Sequence, residues 1–153
     1  MGRIGLRLLG VLEMMSERGS AIWLTHPVCS FAARLALVSP FLVSGILKSS
    51  DFSGAVTEVR GLIGFEPAAL VAALVIATQL GGSVLVLIGG RAAWIGALLL
   101  AGFTALATLL AHSFWTKTGI EQVRDLATFF EHLGLIGGFL LAAIVIAQGM
   151  TRQ

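Results

Sequence analysis

Apolar residues in this chain come in long runs rather than in alternation. Four windows, 28–47, 68–88, 92–115 and 126–147, are each mostly apolar over about 20 or more positions, the length a helix needs to cross a bilayer core. Strand alternation is absent from them, so the pattern predicts helices. Pro27 and Pro67 open the first and second windows, where a missing N–H costs least. Gly89 and Gly90 close a very short turn between the second and third, which makes those two spans antiparallel neighbours. The expected fold class is an all-α integral membrane protein, a four-transmembrane-helix antiparallel bundle with both termini on one side.

Residues 3–18 follow a different pattern. At 100° per residue, Arg3, Arg7, Gly10, Glu13, Glu17 and Arg18 gather on one arc, with Ile4, Leu8, Val11, Leu12 and Met15 roughly opposite. This is the pattern of an amphipathic helix lying in the membrane interface. The chain then divides into an N-terminal interfacial segment (1–26), a four-helix transmembrane domain (27–148) and a short tail (149–153). The N-terminal stretch lacks a clean apolar region followed by a small-residue cleavage site, so it is expected to be retained.

Composition agrees with a membrane protein: 57% of residues are hydrophobic and 12% charged, against about a quarter charged in soluble domains. A net charge of +2, scattered along the chain, gives no footprint for nucleic acid. Cys29 is the sole cysteine, which excludes an internal disulfide, and no cluster has zinc-ligand spacing. Arg3, Arg7, Arg18, Arg91 and Arg152 fall on one side of the spans and Lys48, Arg60, Lys117 and Arg124 on the other. The short Arg91 turn and the arginine-bearing N-terminus favour cytoplasmic termini. Trp94 and Trp115 stand roughly 31 Å apart along the third span, one at each interface.

Helices in lipid associate through small residues that let backbones approach. Ala69, Ala73, Ala77 and Gly81 form such a ladder on the second span, and Gly134 and Gly138 a GxxxG on the fourth. These are expected to pack the bundle or to join copies in a homo-oligomer. Pro40 is expected to kink the first span.

Ionisable groups inside a bilayer are costly and are functional candidates by default. Here they are Arg34, His112, Glu131 and His132, with the central amide of Gln79. Thr104, Thr108 and His112 recur every four residues and so share one face of the third span. His112 lies just beneath Trp115, and Glu131 and His132 fall at a similar depth on the fourth span. Lys48 and Asp51 open onto the same surface. The expected cluster of His112, Glu131, His132, Lys48 and Trp115 suits a quinone head group that exchanges protons with histidine. Two facing histidines also suit haem or another metal, although without a third ligand that signal is weak. The plain alternative is that these side chains are interfacial and satisfied by water or backbone. Nearer the cytoplasmic end, Arg34 either snorkels to the interface or pairs with Gln79.

The runs RLALVSPFLVSGILKSSDFSGA, QLGGSVLVLIGG, ATLLAHSFW and FFEHLGLIGGF, in this order, resemble the DoxX family of small bacterial four-helix membrane proteins. The resemblance covers residues 34–147. It implies a bacterial inner-membrane protein related to the membrane subunit of a thiosulfate:quinone oxidoreductase. In many relatives a glutamate precedes the glycine pair of the second span, where Gln79 stands here, and an amide carries no proton. The expectation is therefore a membrane anchor or quinone-handling subunit that works with a membrane or peripheral redox partner. The alternative is a non-catalytic assembly subunit of a larger membrane complex. A transporter fits less well, since no inverted repeat is visible.

Overall fold

A computed structural model of the chain describes residues 26–64 and 66–151. The expected interfacial helix of the N-terminal segment lies outside these residues. The described residues form five α-helices and no strand: α1 (Pro27–Ser50), α2 (Phe52–Ile63), α3 (Ala68–Ile88), α4 (Ala93–Ala111) and α5 (Gly119–Thr151). Two 3-10 turns, Gly90–Ala92 and Phe114–Thr116, precede and follow α4. Four segments are long and apolar enough to cross a membrane: α1, α3, Gly90–Thr116 and α5. The four expected spans are all present.

Helix α1 is continuous through Pro40. The chain divides into two compact units, Met1–Ala36 and Leu37–Gln153. In the first unit, Arg34 turns back over its own helix: its Nε donates to the Ser30 carbonyl at 3.1 Å, and a terminal nitrogen donates to Ser30 Oγ at 3.3 Å.

The second unit holds the bundle. Gly89 and Gly90 have φ of 77° and 70°, a conformation that a side chain disfavours, and this reverses the chain between α3 and α4. The two helices then close on each other through glycine. A Cβ on Gly96 would lie 2.6 Å from the Gly82 carbonyl oxygen, and one on Gly82 would lie 2.9 Å from Leu100 Cγ. The buried face of α3 is Ala68, Ala72, Gln79, Gly82, Ser83 and Val86. The expected ladder of Ala69, Ala73, Ala77 and Gly81 is instead exposed. Gly134 is exposed too, and only Gly138 of that pair meets a neighbour, Leu37. Small residues do pack this bundle, but on another face of α3 than the expected one.

Below the site, Phe41 packs edge to face on Phe139 (centroids 5.3 Å apart) and on Phe103 (6.2 Å), joining α1, α4 and α5. Val38, Val86, Ala97, Leu100 and Ala143 complete this core. A second apolar cluster, Ala55, Val59, Ala68 and Ala72, seats α2 on α3. Helix α2 was not expected, since its residues fall in what reads as a connecting loop. Asp51 caps its N-terminus by accepting from the Gly54 N–H at 2.9 Å, and Gly64, left-handed at φ 71°, ends it.

Candidate functional site

The site is built around one face of α4. Thr104 and Thr108 are buried, and each hydroxyl donates to the carbonyl four residues earlier at 2.6 Å: Thr104 to Leu100, Thr108 to Thr104. Such back-bonding satisfies the hydroxyl within its own helix. It also decides what comes next. Thr108 Oγ1 lies 2.8 Å from His132 Nδ1 on α5. Its only hydrogen is already given to Thr104, so it must accept, and His132 must donate from Nδ1. The neutral His132 ring therefore carries its lone pair on Nε2.

Helix α4 ends at Ala111, and His112 is its C-cap residue. The His112 ring packs edge to face on His132, centroids 5.1 Å apart. The two histidines of the expected cluster are thus in contact. Rings in contact leave no slot for a flat macrocycle between them, so as placed they are not a haem ligand pair. Among the described residues no group of three or more metal-type ligands forms.

Glu131 does not join them. It is exposed, a third of a helical turn away from His132, and lines no part of the site. The carboxylate that faces the histidines is Asp125, with only 3% of its surface exposed. Its Oδ1 lies 3.6 Å from His112 Nδ1, beyond hydrogen-bond reach, and that nitrogen is buried without a hydrogen-bond partner. Its other oxygen accepts from the Lys117 ammonium. Asp125 was missed because α5 starts before the apolar window at 126, and Lys117 because it lies in the turn before that helix. The available signal was spacing: Asp125 lies seven residues before His132, two turns away on the same helix face.

Trp115 also lies outside the histidine group. It is exposed and packs edge to face with Phe114 and Phe129, an aromatic cluster at the end of the third span. Lys48 does reach the site, but its ammonium pairs with Glu58 of α2 rather than standing free.

Gln79 forms the other polar focus. It is 4% exposed, and its Nε2 donates to Ser44 Oγ on α1 at 3.1 Å. Its Oε1 is buried with no hydrogen-bond partner.

These two foci line one cavity of about 690 Å³, enclosed by α1, α2, α3, α4 and α5. Its walls are mainly apolar, with Phe41, Val59, Ile63, Val75, Phe103 and Leu135 among them. Its polar groups are few: Ser44, Gln79, Thr104, His112, His132 and the Lys48–Glu58 pair. Leu62, Leu106 and Leu110 line it while remaining largely exposed, so the cavity opens beside them. Volume, apolar walls and a handful of convergent polar groups are the usual form of a small-molecule site.

The DoxX family profile matches residues 29–113. The chain is also similar to the inner membrane protein YphA of Escherichia coli (strain K12), at 27% identity over 119 residues that span 78% of this chain and 84% of that protein. No solved structure matches it at a significant level.

Proposed function

The chain belongs to the DoxX family, and from that premise we propose that it is a quinone-handling membrane subunit of a redox complex. Four apolar spans and an inner-membrane relative support a multi-pass protein of the bacterial inner membrane. The excess of arginine near the chain ends supports cytoplasmic termini. The observation that carries the functional reading is the cavity: a space of ligand size with apolar walls, an opening beside exposed leucines and unpaired polar atoms on Gln79 and His112. A lipid-soluble ring with a polar head enters such a space from the bilayer and finds partners only at its head. His132 Nε2 is placed to exchange a proton with that head. His112, Asp125 and Lys117 extend the polar path away from the cavity.

The test is extraction. Protein purified in mild detergent and extracted with solvent is expected to yield quinone at near one equivalent, and the His132→Ala variant less than about a tenth of that. Glu131→Gln, on the exposed side of α5, is expected to retain it. Wild-type protein that yields no quinone sinks the reading.

The exposed small-residue line of Ala69, Ala73, Ala77 and Gly81 favours a second reading, a non-catalytic assembly subunit that docks another membrane protein or a second copy. Cross-linking at Ala73 that captures a stoichiometric partner, with no small molecule bound, supports it over the first.

A further inference from the structure

The hydrogen bonds already made around the cavity leave an unequal set of polar groups facing it. Gln79 has given one of its two Nε2 hydrogens to Ser44 and keeps a bare Oε1, on a side chain only 4% exposed. Thr104 has given its hydrogen to Leu100, so its oxygen can only accept. His132 has given Nδ1–H to Thr108, so Nε2 can only accept while the ring is neutral. His112 Nδ1 lies 3.6 Å from Asp125 Oδ1 and has no hydrogen-bond partner. Lys48 is held by Glu58. Ser44 keeps its own hydroxyl hydrogen, and it sits where a group donating to Gln79 would also accept.

A ligand that meets these atoms as an acceptor leaves Gln79 Oε1 and the His132 lone pair buried without partners, and an orphaned buried acceptor carries the full desolvation penalty. A ligand that donates satisfies them. We infer that this cavity selects hydroxyl-bearing apolar molecules over their carbonyl or ether counterparts, because Gln79 and His132 present acceptors to it. Resting on the quinone reading, this means that the reduced, hydroquinone form is the one bound tightly. Sites built to hydrogen-bond a hydroxyl discriminate strongly against analogues that lack it.

The experiment uses the full-length protein in nanodiscs and two matched pairs of probes, each offered as an equimolar mixture. One pair is decylubiquinol and decylubiquinone, kept anaerobic. The other is 4-nonylphenol and its methyl ether, which has no redox chemistry. Captured nanodiscs are extracted, and the retained amounts are corrected with empty nanodiscs. The expected result is about tenfold enrichment of the hydroxyl form in both pairs. Gln79→Met, of similar volume and without the acceptor, is expected to bring the ratio down to about threefold or less, while the wild-type measurement stands without any variant. Retention of the phenol over its ether, with neither quinone form retained, upholds the donor selection and overturns the quinone reading. Equal retention within both pairs, or enrichment of the quinone or the ether, overturns the inference and leaves the quinone reading intact. No retention of any probe overturns both.

Discussion

The Cβ that Gly96 lacks would lie 2.6 Å from the Gly82 carbonyl oxygen across the α3–α4 contact. Both atoms at risk are rigid: the carbonyl is backbone, and the next nearest neighbour, Leu85 Cβ at 2.7 Å, sits on the helix itself. Gly96→Ala must therefore push the two helices apart, and overpacking of this kind costs about 1–3 kcal/mol. At Gly81, one position from Gly82 but facing outward, an added Cβ meets nothing within 4 Å. Gly81→Ala is expected to be neutral within about 0.5 kcal/mol. Thermal unfolding in detergent separates them, and equal stabilities would remove Gly96 from the contact.

Helix α2 should loosen in acid. Its N-cap carboxylate, Asp51, is held below its ordinary value of 3.8 by the Gly54 N–H and by the Ser53 hydroxyl. Glu66, just before α3, is held below 4.5 by Arg60 and by the Ala68 N–H. A depressed folded-state value means that the ionised form is what stabilises: the contribution is complete above the ordinary value and is lost as pH falls through the lowered one. Hydrogen exchange in the first turn of α2 is expected to be slow at about pH 5 and faster towards about pH 2, over and above the intrinsic rate change. Asp51→Asn keeps a cap of similar geometry and should flatten this dependence. An unchanged profile in that variant would assign the loosening to another group.

The spans were legible in the sequence because a bilayer demands length and apolarity and little else; α3 coincides with its window end to end. The registers were not legible. In lipid there is no apolar contrast between the inner and outer faces of a helix, so the ladder of Ala69, Ala73, Ala77 and Gly81 and the face bearing Ala72, Gln79, Gly82 and Val86 look equally suited to packing. The site was half legible for the same reason. His112 and His132 were identifiable as polar groups in an apolar run, whereas choosing between Glu131 and Asp125 needed the true start of α5. Helix α2 was hidden by its mixed polarity, although Asp51 and Gly64 mark its two ends.

Asp125 and Lys117 should behave as a unit. Asp125 is 3% exposed, and Lys117 is the cation that it holds. Removing one partner leaves the other uncompensated, whereas removing both leaves neither. Asp125→Ala and Lys117→Met are each expected to lower the unfolding temperature, and the double variant to lose less than the two losses combined. Strict additivity in that cycle would mean that the pair is not a coupled element of the site.

The tautomer of His132 is the finest detail on which ligand choice depends, and one hydroxyl sets it. Thr108 can accept from Nδ1–H because its own hydrogen goes to Thr104. Thr108→Val keeps the branched shape of the side chain and deletes the acceptor. With that partner gone, a proton on Nδ1 is no longer favoured over one on Nε2, and His132 begins to present a donor to the cavity. In ¹⁵N spectra of imidazole-labelled protein, the wild type is expected to show His132 protonated at Nδ1 and bare at Nε2, and the valine variant a population with the reverse arrangement. The preference for hydroxyl probes should fall severalfold in the same variant, since a donating Nε2 accepts nothing and welcomes a carbonyl instead. If the spectrum changes and the preference does not, His132 is not among the groups that the ligand meets. If neither changes, the hydroxyl of Thr108 does not govern the ring at all.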